Sequence, residues 1–389
     1  MKILIKYFFI WFTLTFLLTS CEKDNPIQGF DLANPGGRGQ LKSITISKLE
    51  QETTFKGKVA PTGNSLSLSL GSFNNIETRI LMKWENLRDT LKIESATIIL
   101  KPRLTLGESS GSFMAIAHKV LKDWAEDSVT VENFDILGDV DQNILGQTEV
   151  FAVNQDTSLI DSISLEIDPA LVQAWIDSTE PNYGVFIDFS GADFIREFSS
   201  SENDKNRPIL QLVGRVNDTK KDTSKFVATM DAFLISSQAD PPEGPLYVSN
   251  AFRNQSVLKF DLSTIPQAAN ILKAQLVLKL QNSNSILTSD GMVIQILRLL
   301  EAFETPETVN ADSSFVFTST IRDTLTTVTV NLRSMVQDWT LGRKENHGLI
   351  IQPARPGRDI SRVAFFSSQQ DTSQAPKLLI DFTIPPEGP

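Results

Sequence analysis

The chain has 389 residues, a formal net charge of −11 at pH 7, one cysteine and two histidines. A single cysteine excludes an intrachain disulfide, so stability must come from packed cores, and the length suits two units of ordinary domain size. The acidic balance argues against nucleic acid and against broad contact with anionic lipid, while leaving neutral polysaccharide and cations open as ligands.

The first twenty residues carry the three parts of a secretory signal. Lys2 and Lys6 form a short positive start, residues 7–19 are an uncharged apolar run, and Ser20 is small. The run is shorter than the roughly 20 residues a spanning helix needs. Leu18-Thr19-Ser20-Cys21 resembles the lipobox of bacterial lipoproteins. That resemblance implies cleavage after residue 20 and acylation of Cys21, so that membrane contact is made through a lipid anchor; several chains on one residue hold firmly where one holds marginally. Glu22-Lys23-Asp24 is similar to the charged surface-export signals of such proteins; the expected location is the cell envelope at the outer membrane, with the periplasmic and the surface face both open. Residues 21–40 are polar and rich in glycine and proline, and read as a tether.

Beyond the tether the chain repeats itself, with segments of 79–214 matching segments of 254–382 in the same order. Ile80–Leu87 parallels Ser256–Ser263, and Ser95–Lys101 parallels Lys273–Lys279. Val172-Gln173-Ala174-Trp175 parallels Val336-Gln337-Asp338-Trp339, and nine residues later each copy has a glycine, Gly184 and Gly348, opening a strand. Phe198-Ser199-Ser200 and Phe366-Ser367-Ser368 precede Pro208 and Pro376 by the same spacing. In 274–280, Ala274, Leu276, Leu278 and Leu280 alternate with other residues, the period-2 signature of a half-buried strand. Strands are likewise expected at 113–121, 163–167, 292–300 and 327–330. One short helix is expected per copy, at Asp168-Pro169 onward and at 332–339. The fold class is therefore all-β: two tandem jelly-roll or β-sandwich domains, each with one short helix, after the signal and tether. The polar stretch 215–224 reads as a linker, giving a first domain at 41–214, a second at 225–384 and a tail at 385–389.

The segment Ser256-Val257-Leu258-Lys259-Phe260-Asp261-Leu262-Ser263, followed by Ala274–Leu278, Trp339, Asn346-His347-Gly348, Phe366-Ser367-Ser368 and Pro376, resembles the DNRLRE domain, with Asp231-Ala232-Phe233-Leu234 similar to its opening strand. The resemblance implies an extracellular jelly roll, some members of which serve as carbohydrate-binding modules. The first copy departs from the pattern, with Trp84-Glu85-Asn86 in place of the Phe-Asp-Leu core.

No GxSxG, HExxH, P-loop or dinucleotide fingerprint is present, and no carboxylate pair stands out, so no catalytic residue and no enzyme activity are assigned. His118 and His347 align with Leu297 and Tyr183, which points to space-filling roles. Asp139, Asp141 and Asn143 alternate oxygen ligands in the manner of a calcium loop, but Ile144 and Val150 replace the glycine and the glutamate, so a solvated turn is the expectation and structural calcium is the one ion considered. Trp84, Trp124, Trp175 and Trp339 all have aromatic counterparts in the other copy, Phe260, Phe303 and each other, which marks them as core. Tyr247 and Phe252, beside Pro241, Pro242 and Pro245, are the unpaired aromatics suited to stacking on a sugar, with Arg253, Arg355 and Arg358 as nearby donors. The function expected is non-catalytic binding of an extracellular polymer, above all polysaccharide. The alternatives are a structural subunit contacting a surface protein partner and, third, a carbohydrate-active enzyme.

Overall fold

The structure is a computed structural model, and it describes residues 40–384 apart from 88–89, 109, 153–161, 217–219, 238–239, 241 and 289–290. The signal segment, Cys21, the tether up to residue 39 and the tail at 385–389 lie outside the described residues. No helix among the described residues is long and apolar enough to cross a membrane.

The architecture is all-β, built from antiparallel sheets with two short α-helices among the described residues. Strands stand close to where alternation places them, at Ser112–Val120, Ile163–Ile167, Asn270–Lys279, Met292–Arg298 and Thr327–Asn331. In Asn270–Lys279 the side chains of Ala274, Leu276 and Leu278 are fully buried while Gln275, Val277 and Lys279 are half-exposed. Helix α1 spans Pro169–Ile176 and α2 spans Arg333–Thr340. Asp168 caps α1 by accepting from the Ala170 N–H at 2.9 Å, and Asn331 makes the same contact for α2 by accepting from the Arg333 N–H at 3.0 Å. Both helices dock through a shared glutamine: Gln173 accepts from the Ile93 N–H at 2.9 Å, and Gln337 from the Ile271 N–H at 2.7 Å.

Two sandwiches result. In one, the order Lys220–Val227, Ile209–Val216, Lys92–Leu100, Ile163–Ile167 faces a larger sheet containing Pro102–Gly107, Phe194–Ser199, Ser67–Phe73, Ile76–Lys83, Val185–Ser190, Ser112–Val120 and Val140–Phe151. Ile80, Met82, Ile98, Phe198, Leu210 and Trp175 share its core. In the other, the order Gln40–Ile46, Lys377–Ile384, Asn270–Lys279, Thr327–Asn331 faces Phe317–Ile321, Met292–Arg298, Leu349–Pro353, Asn254–Phe260, Leu49–Lys56 around Leu258, Phe260, Leu276, Ile294, Leu378 and Trp339.

The two halves of the chain follow one element order apart from strand Pro102–Gly107, which the second half replaces with a 3-10 turn at Asn282–Asn284, and each lends its first two strands to the other. Gln40–Ile46 pairs with Lys377–Ile384, the last strand of the second half, and Leu49–Lys56 pairs with Asn254–Phe260. Reciprocally, Lys220–Val227 pairs with Ile209–Val216, the last strand of the first half, and Met230–Ser237 pairs with Ile76–Lys83. The sequence boundaries are corrected accordingly. Residues 41–56 sit in the sheets of the second sandwich, and 225–237, including Asp231–Leu234, sit in those of the first. Of the expected linker at 215–224, residues 215–216 and 220–224 lie in two paired strands, with Arg215 opposite Lys221 and Val216 opposite Lys220, while 217–219 lie outside the described residues. Its polar composition reflects a sheet edge: Lys220–Val227 is mostly exposed, and charge on an edge strand discourages further pairing.

Candidate functional site: a seam cleft and a buried carboxylate cluster

Where the exchanged strand Leu49–Lys56 meets the loop before Leu246–Ser249, the surface opens into a cleft of about 440 Å³. Thr54, Lys56, Glu243, Tyr247, Asn254 and Gln369 are among its lining residues. The walls are fixed by side-chain hydroxyls. Thr54 Oγ1 accepts from the Tyr247 N–H at 3.1 Å and lies 2.9 Å from Ser256 Oγ, which donates to the Tyr247 carbonyl at 2.9 Å. Glu52 accepts from the Ser368 N–H, at 3.1 and 3.0 Å to its two oxygens, and from the Ser368 hydroxyl. Ser367 Oγ and the Tyr247 hydroxyl are buried beneath the cleft without a hydrogen-bond partner.

The aromatics nominated from sequence are placed differently from expectation. Tyr247 borders the cleft but is 2% exposed, paired opposite Ala364, with the Arg362 guanidinium 5.4 Å from its ring centroid. Phe252 is buried in the core of the first sandwich. Neither ring offers its face to solvent, because Tyr247 belongs to the paired strand Leu246–Ser249 and Phe252 packs into a core. Arg253 adopts a left-handed backbone with φ 48°, and its carbonyl accepts from the Gly57 N–H at 3.0 Å. Arg355 is exposed, and Arg358 is half-buried with its carbonyl accepting from Ser65 Oγ. None of these arginines joins Tyr247 in lining the cleft.

Asp139, Asp141 and Asn143 are each engaged in hydrogen bonds within the protein. Asp139 accepts from the Lys122 ammonium at 3.0 Å and the Asp135 N–H at 2.9 Å, which holds its carboxyl below the usual range, the backbone bond being the larger cause. Asn143 turns back onto Asp141, donating to Oδ1 at 2.8 Å, and His118 Nδ1 lies 3.0 Å from the Asp141 carbonyl oxygen. The four paired tryptophans are all buried, and the Trp124 N–H donates to the Tyr183 carbonyl at 2.9 Å.

A second grouping has no trace in sequence spacing. Glu126, Glu202 and Asp231 bring carboxylate oxygens within 4.8 Å of one another. Glu126 stands in the loop after Ser112–Val120, Glu202 in the turn after Phe194–Ser199, and Asp231 on the exchanged strand Met230–Ser237. Asp231 is 1% exposed. Its Oδ2 accepts from the Ser201 N–H at 2.7 Å, its own N–H donates to Glu126 Oε1 at 3.0 Å, and Ser201 Oγ donates to Glu202 Oε1 at 3.1 Å. Asp231 Oδ1 and Glu202 Oε2 are buried without a partner. Burial, then the nearby Glu202 charge, pushes the Asp231 carboxyl up to about 8. Burial raises Glu126 as well. Gly63 makes room for this arrangement: a Cβ there would stand 2.2 Å from Glu126 Cγ. The one cue in sequence is an acid, Asp231, embedded in the apolar run Met230–Ile235.

No protein-family model matches the chain, and no curated protein matches it. Solved structures align only loosely. One titled BspA_C_mut shares 7% identity over 86% of this chain and 90% of its own, at a TM-score of 0.14. A structure of the Macrobrachium rosenbergii nodavirus shares 8% over 95% of this chain and 100% of its own, also at 0.14. Likenesses at this level carry no argument about function.

Proposed function

We propose that this chain is a lipid-anchored, non-catalytic protein of the cell envelope that binds an extracellular polymer, and that polysaccharide is the polymer class. The observation that carries the reading is the polar cleft at the seam, whose lining mixes carboxylates, an ammonium, amides and hydroxyls from both halves of the chain. Such a lining offers hydrogen bonds to sugar hydroxyls, and a few convergent polar groups in a concave site are what ligand pockets use for orientation. Phe55, at the cleft wall and stacked on Phe303 at a centroid distance of 5.0 Å, supplies apolar surface in place of the buried Tyr247 and Phe252. The DNRLRE resemblance of the second repeat and the lipobox around Cys21 belong to the same reading.

A glycan array probed with purified protein, with and without calcium, tests it. Retention of one glycan class that weakens when Lys56 and Gln369 are replaced by alanine supports the proposal. Retention of no glycan, or retention unaffected by both changes, overturns it.

A further inference from the structure

We propose that Glu126, Glu202 and Asp231 form a binding site for one divalent cation, calcium by its donor chemistry, which ties the exchanged strand Met230–Ser237 to two loops of the first sandwich.

Geometry is the first support. Oxygen ligands of calcium lie about 2.4 Å from the ion, so two ligands of one ion stand at most about 4.8 Å apart. The three carboxylates meet that limit pairwise. All donors are hard oxygens, which favours calcium over softer transition metals.

The unmet bonding is the second, independent support. Asp231 Oδ1, in a side chain almost wholly out of solvent, has no hydrogen-bond partner, and neither has Glu202 Oε2. Among the described residues, no lysine, arginine or histidine forms an ion pair with any of the three. Buried anions without a counter-charge are costly, and a bound cation removes that cost.

The second sandwich supplies an internal comparison. There the residue equivalent to Asp231 is Glu52, opposite Leu258 as Asp231 is opposite Met82. Glu52 is satisfied by the Ser368 N–H and hydroxyl. By the repeat alignment, Thr305 and Gln370 stand where Glu126 and Glu202 stand. The repeat thus needs an acid on the exchanged strand but not three together, and the trio is an addition confined to one half.

Isothermal titration of chelator-stripped protein with calcium chloride, paired with thermal melts, tests the site. One ion per chain is expected, with a melting temperature that rises with calcium and returns with chelator, since a ligand that binds only the folded state stabilises it. Glu202→Gln, in a partly exposed turn that should tolerate it, is expected to weaken binding about tenfold or more through the loss of one charged ligand. Asp141→Asn should leave binding unchanged. If the folded protein takes up no calcium, the proposal fails and the three carboxyls share a proton instead. If Glu202→Gln and Glu126→Gln both bind with unaltered affinity, the ion sits elsewhere and the proposal fails equally.

Discussion

Asp231 and Glu52 occupy the same register position of the two exchanged strands, Asp231 opposite Met82 and Glu52 opposite Leu258. Gly184 and Gly348 support the equivalence, because a Cβ at either would run into the carbonyl oxygen of that same residue, Met82 or Leu258. The chain therefore holds two copies of one sandwich, and each is completed by the opening strands of the other. A polypeptide that swaps elements between tandem copies gains the pairing energy of both seams and ties its amino-terminal strands to its carboxy-terminal one.

Exchange predicts that the halves depend on each other. Fragments ending at residue 218 and beginning at residue 219 should associate one to one when mixed, and neither should remain a stable monomer alone. Analytical ultracentrifugation and thermal melts of each fragment and of the mixture check this. Two separately stable monomers that ignore each other would rule the exchange out.

Trp175 and Trp339 fill the cores beneath their helices at 6% and 8% exposure. Replacing either with alanine should cost about 3–5 kcal/mol, a transfer loss plus the cavity left behind. Denaturant unfolding gives the value, and a loss below about 1 kcal/mol would mean the ring is not needed for packing.

Gly184 has φ 86°, and a Cβ there would lie 2.1 Å from the Met82 carbonyl oxygen. Gly184→Ala should therefore destabilise by more than about 1 kcal/mol, since both the left-handed backbone and the close strand approach disfavour a side chain. Gly191, also at positive φ but with open space around its Cβ position, should lose less. Chemical denaturation of the two variants in parallel gives the comparison.

The second sandwich should weaken in acid. Arg298, with its guanidinium nearly buried, is held by Asp312 and by Asp338, the latter at 3.1 Å. Ser314 and then Arg298 draw the Asp312 carboxyl down to about 2. A carboxyl lower in the folded than in the unfolded chain adds stability above its unfolded value, near 4, and that stability drains away as pH falls toward 2. Asp312→Asn should flatten this part of a melting-temperature profile between pH 4 and 2. An unchanged slope would show that Asp312 does not contribute.

Cys21→Ser should release the protein from membranes or block its processing. Detergent-phase partitioning and radiolabelled palmitate incorporation measure both, and unchanged values would exclude the anchor.

Some of this was legible in the residues alone. Period-2 alternation in 274–280 fixes a half-buried strand because successive side chains must face opposite ways, and the Asp168-Pro169 pair opens a helix because it satisfies and presets the first turn. The repeated Val-Gln-x-Trp marks the helix twice because the glutamine caps a strand N–H and the tryptophan fills the core in both copies. Other features depend on which strands meet. A strand carries the same alternation whether it pairs with its own half or with the other, so local sequence could not reveal that 40–56 and 220–237 change places. The exposed edge at Lys220–Val227 looked like a linker for the same reason, since an edge strand and a linker are both polar. Tyr247 and Phe252 lack counterparts in the other copy, yet tertiary packing at the seam buries them. Glu126, Glu202 and Asp231 are scattered along the chain, and only the exchange carries Asp231 from the second half to the two glutamates of the first. Local periodicity and side-chain chemistry determined the elements; the long-range pairing of sheets, which those patterns permit in more than one arrangement, decided their partners and the sites between them.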